Sequence, residues 1–121
     1  MLINKLVIFG VGLIGGSFAL ALREAGAVRE IVGVGRSAAN LAEALRLGVI
    51  DRAATDVAGA VRDADLVLLA MPVGQMGGVM QAIAPHLSAQ TIVTDGGSTK
   101  CDVVALARQH LPAHLARFVP A

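Results

Sequence analysis

The stretch Gly10-Val11-Gly12-Leu13-Ile14-Gly15 has the form G-x-G-x-x-G and constrains this chain more than any other. An apolar run, Leu6-Val7-Ile8-Phe9, precedes it, and a helical pattern of small and apolar residues from Ser17 to Leu22 follows. A strand feeding a glycine turn that opens a helix aims backbone N–H groups at an anion, and the positive end of the helix dipole reinforces them. That geometry suits the pyrophosphate of a dinucleotide. Gly10 would make the tight turn, Gly12 would let the phosphates approach, and Gly15 would let helix pack on strand. In a chain with 14 glycines the motif counts only in its strand and helix context. The competing reading is a glycine-rich turn in some other α/β protein.

The remaining pattern alternates strands and helices with short connections. The first strand is expected over Lys5–Phe9, and a helix over Leu13–Ala25 is stopped by Gly26. A second strand, Ile31–Val34, leads to a helix over Ala38–Leu47 that ends at Gly48, and Val49-Ile50 reads as a short third strand before a turn at Asp51. Asp56 caps a short helix reaching Ala64, and Leu66–Ala70 is a continuous apolar run of the kind found in buried central strands. A helix over Gln75–Leu87, a fifth strand over Thr91–Thr94, a helix over Lys100–Leu111 and a sixth strand at Phe118-Val119 complete the series. The implied fold is a single α/β domain, a doubly wound, mostly parallel sheet of the Rossmann type with strand order 3-2-1-4-5-6.

In such a sheet ligands lie outside the carboxyl ends of the strands, where the strand order reverses between strands one and four. Met71, Pro72 and Val73 follow strand four and are expected to face a cofactor; the plainer reading is that Pro72 stops a strand. An acidic residue at the end of strand two commonly accepts bonds from the adenosine ribose 2′-hydroxyl, but here Gly35 stands there, followed by Arg36 and Ser37. The missing carboxylate removes a group that would repel a 2′-phosphate, and a guanidinium with a hydroxyl can bind one. NADP is therefore expected ahead of NAD. The alternative leaves Arg36 in solvent and Ser37 as a helix cap.

The totals narrow the class. A chain of 121 residues with 55% hydrophobic content and few aromatic residues describes one domain with an aliphatic core, as parallel sheets covered on both faces require. Net charge is +1 and neither Trp nor Tyr is present, which argues against a nucleic-acid partner. Cys101 is the only cysteine, and His86, His110 and His114 lack metal-ligand spacing, so neither a disulfide nor a metal site is expected. No apolar run is long enough for a membrane helix, and the first strand begins almost at once without a leader; a cytoplasmic protein is the expectation.

Three stretches together resemble the prephenate and arogenate (cyclohexadienyl) dehydrogenase family. They are Gly10-Val11-Gly12-Leu13-Ile14-Gly15-Gly16-Ser17, Leu47-Gly48-Val49-Ile50-Asp51, and Val93-Thr94-Asp95-Gly96-Gly97-Ser98-Thr99-Lys100 ahead of Arg117-Phe118-Val119. The resemblance implies the nucleotide-binding domain of an enzyme of tyrosine biosynthesis. Such enzymes use NAD or NADP to oxidise prephenate or arogenate with loss of carbon dioxide. It places Gly97 at the cofactor and Ser98 in the active site near the substrate's ring hydroxyl, where a helix cap is the competing role. Lys100 would be drawn to an anionic substrate or lie in solvent, and Asp95 would position the turn rather than exchange protons.

The family's general base is a histidine in a His-Pro-x-Ala-Gly stretch directly after the Phe-Val strand, and this sequence stops at Ala121, where that stretch would begin. The resemblance thus implies a cofactor domain of a longer, homodimeric enzyme, able to bind cofactor but not to turn over alone. Two other readings stay open on sequence. One is the cofactor half of a pyrroline-carboxylate reductase or hydroxyisobutyrate-type dehydrogenase; the other is a dinucleotide-sensing module without chemistry.

Overall fold

A computed structural model describes residues 3–10, 13–35, 38–54, 56–71, 73–88, 90–95 and 118–119. In chain order they form β1 (Ile3–Phe9), α1 (Leu13–Glu24), β2 (Val28–Val34), α2 (Ala38–Arg46), β3 (Arg52–Ala53) and α3 (Val57–Val61). Then come β4 (Leu66–Leu69), α4 (Val73–Ile83), a single 3₁₀ turn (Ala84–His86), β5 (Ile92–Asp95) and β6 (Phe118–Val119). The strands make one sheet in the order β3-β2-β1-β4-β5-β6, and every described pairing is parallel. This is the doubly wound order expected from the alternating pattern.

Side-chain alternation along the strands builds two apolar layers. Leu6 and Ile8 of β1 pack with Ala19 of α1 and with Leu41 and Ala44 of α2 on one face. Val7 and Phe9 pack with Ala60 and Val61 of α3 and with Met76, Met80 and Ile83 of α4 on the other. All four β1 residues are at most 2% exposed. Burial on both faces explains why the strand reads as an unbroken apolar run instead of an alternating one.

Carboxylates tie the amino end of the sheet together. The Asp65 Oδ2 accepts the backbone N–H of Asn4 at 2.7 Å and of Lys5 at 3.1 Å. Its own N–H donates to the Lys5 carbonyl, while its carbonyl accepts from Ile92, so one residue joins β1, β4 and β5. Asp51 does the same at the other edge, accepting the Ile31 N–H at 2.8 Å and the Arg23 guanidinium at 3.1 Å. The sequence places Asp56 as a helix cap, and its Oδ2 accepts the Gly59 N–H at 3.2 Å.

Four expected boundaries are corrected. α3 stops at Val61 and not at Ala64, because the chain leaves helical geometry at its C-cap, Arg62 (φ −62°, ψ 130°). The third strand is Arg52–Ala53 and not Val49-Ile50. Past Arg46, α2 is closed at Gly48 (φ +75°), with the Gly48 N–H donating to Leu45 O and the Val49 N–H to Ala44 O, a Schellman closure that occupies the backbone of the Val49-Ile50 dipeptide. Ile50 then fills the core beside α2, with 2% of its surface exposed. α4 starts at Val73 and stops at Ile83, where Pro85 within the 3₁₀ turn lacks the N–H that would continue the helix to Leu87. β2 begins three residues early, at Val28, because Ile3 of β1 pairs with it. The helix expected over Lys100–Leu111 lies outside the described residues.

Candidate functional site

The carboxyl ends of β1, β2 and β4 converge where the chain turns outward on either side of β1. Gly10 closes β1 with φ +88°, donating its N–H to the Val34 carbonyl at 2.8 Å. The Ala70 N–H donates in turn to the Phe9 carbonyl at 2.8 Å, drawing the β4 end against the glycine turn. A side chain at Gly10 would place its Cβ 2.7 Å from the Ala70 carbonyl oxygen. At Gly15, in the first turns of α1, a Cβ would lie 2.7 Å from the Gly10 carbonyl oxygen and 2.9 Å from Ile8 Cγ2. Both positions therefore need glycine for close packing, and Gly10 also for its left-handed backbone. Their packing seats the α1 amino end directly above β1.

Beside this turn opens a cleft of about 570 Å³. Phe9, Gly10, Val34 and Gly35 form its floor, Ala38 and Leu41 come from α2, and Ala54 and Val57 from the α3 region. Met71 and one face of α4 (Gln75, Gly78, Val79 and Ala82) complete the lining. No charged side chain lines it among the described residues, and Gln75 supplies the one polar side chain. An apolar slot opening beside a helix amino end fits a flat heterocycle on one side and an anion on the other.

Of the residues singled out by sequence, Gly10, Gly35 and Met71 come together on the cleft, and Gly15 packs beneath it. Val11, Gly12, Arg36, Ser37, Pro72, Gly97, Ser98 and Lys100 lie outside the described residues. For Leu13, Ile14 and Val73 the backbone is helical. Asp95, the last residue of β5, pairs with Leu69 at the same end of the sheet and is fully buried. Ala38, Leu41, Ala54, Val57, Gln75, Gly78, Val79 and Ala82 were not anticipated. The helical recurrence of Gln75, Gly78, Val79 and Ala82, next to the core stripe of Met76, Met80 and Ile83, was the available signal for the α4 wall.

The cradle fits a dinucleotide on the structure's own terms. Two backbone positions exclude a Cβ, and the adjoining slot is apolar and large enough for an adenosine. Among the described residues no acidic side chain stands at the carboxyl end of β2, where Gly35 is exposed. Nearby on α2, the Arg46 guanidinium holds the Glu43 carboxyl below its usual range, but neither residue lines the cleft.

Known proteins share this fold. A family model described as the nucleotide-binding domain of prephenate dehydrogenase matches residues 18–121. The chain is 38% identical over 111 residues to the prephenate dehydrogenase of Bacillus subtilis, covering 91% of this chain and 30% of that protein. It is 38% identical over 114 residues to the cyclohexadienyl dehydrogenase of Zymomonas mobilis, covering 93% of this chain and 38% of that protein. Among solved structures, prephenate dehydrogenase from Aquifex aeolicus in complex with hydroxyphenyl propionate and NAD+ superposes with a TM-score of 0.86 at 31% identity, covering 99% of this chain and 41% of that one. The chain thus spans between 30% and 41% of the length of these relatives. It belongs to the prephenate dehydrogenase family, of which it forms the nucleotide-binding domain.

Proposed function

We propose that the cleft binds a pyridine dinucleotide, NADP ahead of NAD, and that the chain is the cofactor half of a cytoplasmic, homodimeric dehydrogenase acting on prephenate or arogenate. The observation that carries this reading is the Cβ-excluding contact of Gly10 with Ala70 at the point where the strand order reverses, beside an apolar slot. Further support comes from the NAD+ held by the Aquifex aeolicus relative. When bound, the cofactor supplies a hydride acceptor, and loss of carbon dioxide from the substrate ring restores aromaticity.

The roles of this chain's residues follow from that assignment. Gly10 makes the tight turn and Gly15 the close helix contact, so that Val11, Gly12, Leu13 and Ile14 offer the pyrophosphate their backbone N–H groups and the α1 dipole. Gly35 leaves room at the ribose, and Arg36 and Ser37 bind the 2′-phosphate. Met71, Pro72, Val73 and Gly97 border the cofactor, and Ser98 orients the substrate's ring hydroxyl through its own hydroxyl. The substrate's side chain is read by groups on a further domain, consistent with the share of its relatives that this chain spans.

The test is a titration with NADPH and NADH followed by cofactor fluorescence, which suits a chain lacking Trp and Tyr. NADPH is expected to bind at least about tenfold more tightly, or about 1.4 kcal/mol. Equal or NADH-favoured binding would return Arg36 to a surface role. Binding of neither would refute the assignment of the cleft.

A further inference from the structure

α4 runs over Val73–Ile83 and carries Gly77 and Gly78 at its centre, of which Gly78 lines the cleft. After proline, glycine is the poorest residue for a helix interior, so its presence there calls for a reason. Among the described residues the fold supplies none. Gly78 is not among the glycines with positive φ, and a Cβ built on it meets no heavy atom within 4 Å. On the core side of α4, Met76, Met80 and Ile83 are fully buried. On the adjoining face Gln75, Gly78, Val79 and Ala82 recur at helical spacing and line the cleft. Gly78 is exposed at the solvent edge of that stripe, which makes it the lip of the slot.

We propose that Gly78 is a ligand-admitting residue of the cleft, its missing side chain keeping the mouth open for the flat base of the dinucleotide. The proposal deepens the dinucleotide assignment above and rests on it. A side chain at this position improves the helix and obstructs the ligand, so stability and affinity move in opposite directions. That opposition separates a glycine kept for ligand room from one kept for packing.

The experiment compares wild type, Gly78→Ala, Gly78→Leu and Gly74→Ala by thermal melting and by titration with NADPH, NADH and ADP-ribose. Gly74 is the control, an exposed α4 glycine whose Cβ also meets nothing within 4 Å and which does not line the cleft. Gly78→Ala is expected to raise the melting temperature by about 4 °C, the gain of a helix-interior Gly→Ala change in a domain of this size. Gly78→Leu is expected to weaken NADPH and ADP-ribose by the same factor, at least about tenfold, with Gly78→Ala in between and Gly74→Ala binding as wild type. Wild-type affinity in Gly78→Leu, an equal loss in Gly74→Ala, unchanged ADP-ribose binding or a lowered melting temperature in Gly78→Ala would each overturn the proposal. Wild type binding none of the three ligands would instead overturn the dinucleotide assignment, and the proposal with it.

Discussion

Replacing Gly10 by alanine separates two physical demands that meet at one atom. The backbone there has φ +88°, and left-handed geometry costs an L-residue about 1–2 kcal/mol. The new Cβ would also lie 2.7 Å from the Ala70 carbonyl oxygen, 3.0 Å from its carbon and 3.2 Å from the Met71 nitrogen. These are backbone atoms of the β4 end and cannot rotate away, so overpacking adds about 1–3 kcal/mol. The expected loss is about 3 kcal/mol, or about 12 °C in melting temperature for a domain of this size. Gly48→Ala isolates the first term, since Gly48 has φ +75° with nothing within 4 Å of its Cβ; about 1 kcal/mol is expected there. Both variants are unfolded in urea and followed by far-ultraviolet circular dichroism, with the slope checked for constancy. A Gly10→Ala loss within about 0.5 kcal/mol of the Gly48→Ala loss would refute close approach as the reason for glycine at this turn.

Other outcomes follow from the same structure. Gly35→Asp should move preference from NADPH toward NADH by at least about tenfold, measured by paired titrations; the fold tolerates it because the nearest atom to a Cβ there is Leu41 Cδ2 at 3.8 Å. Asp65→Ala removes the acceptor shared by the Asn4 and Lys5 N–H groups and should cost about 1–3 kcal/mol in urea melts, with Asp65→Asn losing less because it keeps one acceptor oxygen. The Glu43 carboxyl is lowered by its hydrogen bond from Arg46, so the pair's contribution is full above the ordinary carboxylate value and disappears as pH falls through the lowered folded value. Because the pair is exposed, melting curves of Glu43→Gln and wild type should differ only slightly above that range and converge in acid or at high salt.

The sheet was legible because its determinants are local. Leu6–Phe9 and Leu66–Leu69 are apolar on both faces, and glycine at positions 26 and 48 marks where helices close. The third strand escaped for a physical reason. Hydropathy selects Val49-Ile50, yet the backbone of that dipeptide is committed to the α2 closure, and the edge strand that forms instead contains the exposed Arg52, paired with Glu30. The bonds of Asp51 and Asp65 were equally invisible, since their partners are 20 and about 60 residues away in sequence.

The candidate site was legible where packing demands glycine, as at Gly10 and Gly15. Its apolar walls were not. Ala38, Ala54, Val57 and Ala82 are small aliphatic residues of no particular signature, and only the convergence of α2 from one face of the sheet with α3 and α4 from the other, at one end of the strands, gives them a common purpose.

A crystal structure of this chain with NADPH decides the assignment of the cleft. The pyrophosphate is expected at the amino end of α1 against Gly10, with the base in the slot between Leu41, Val57 and the Gln75–Ala82 face of α4. A dinucleotide ordered elsewhere on the surface, or a cleft left empty at saturating NADPH, would contradict it.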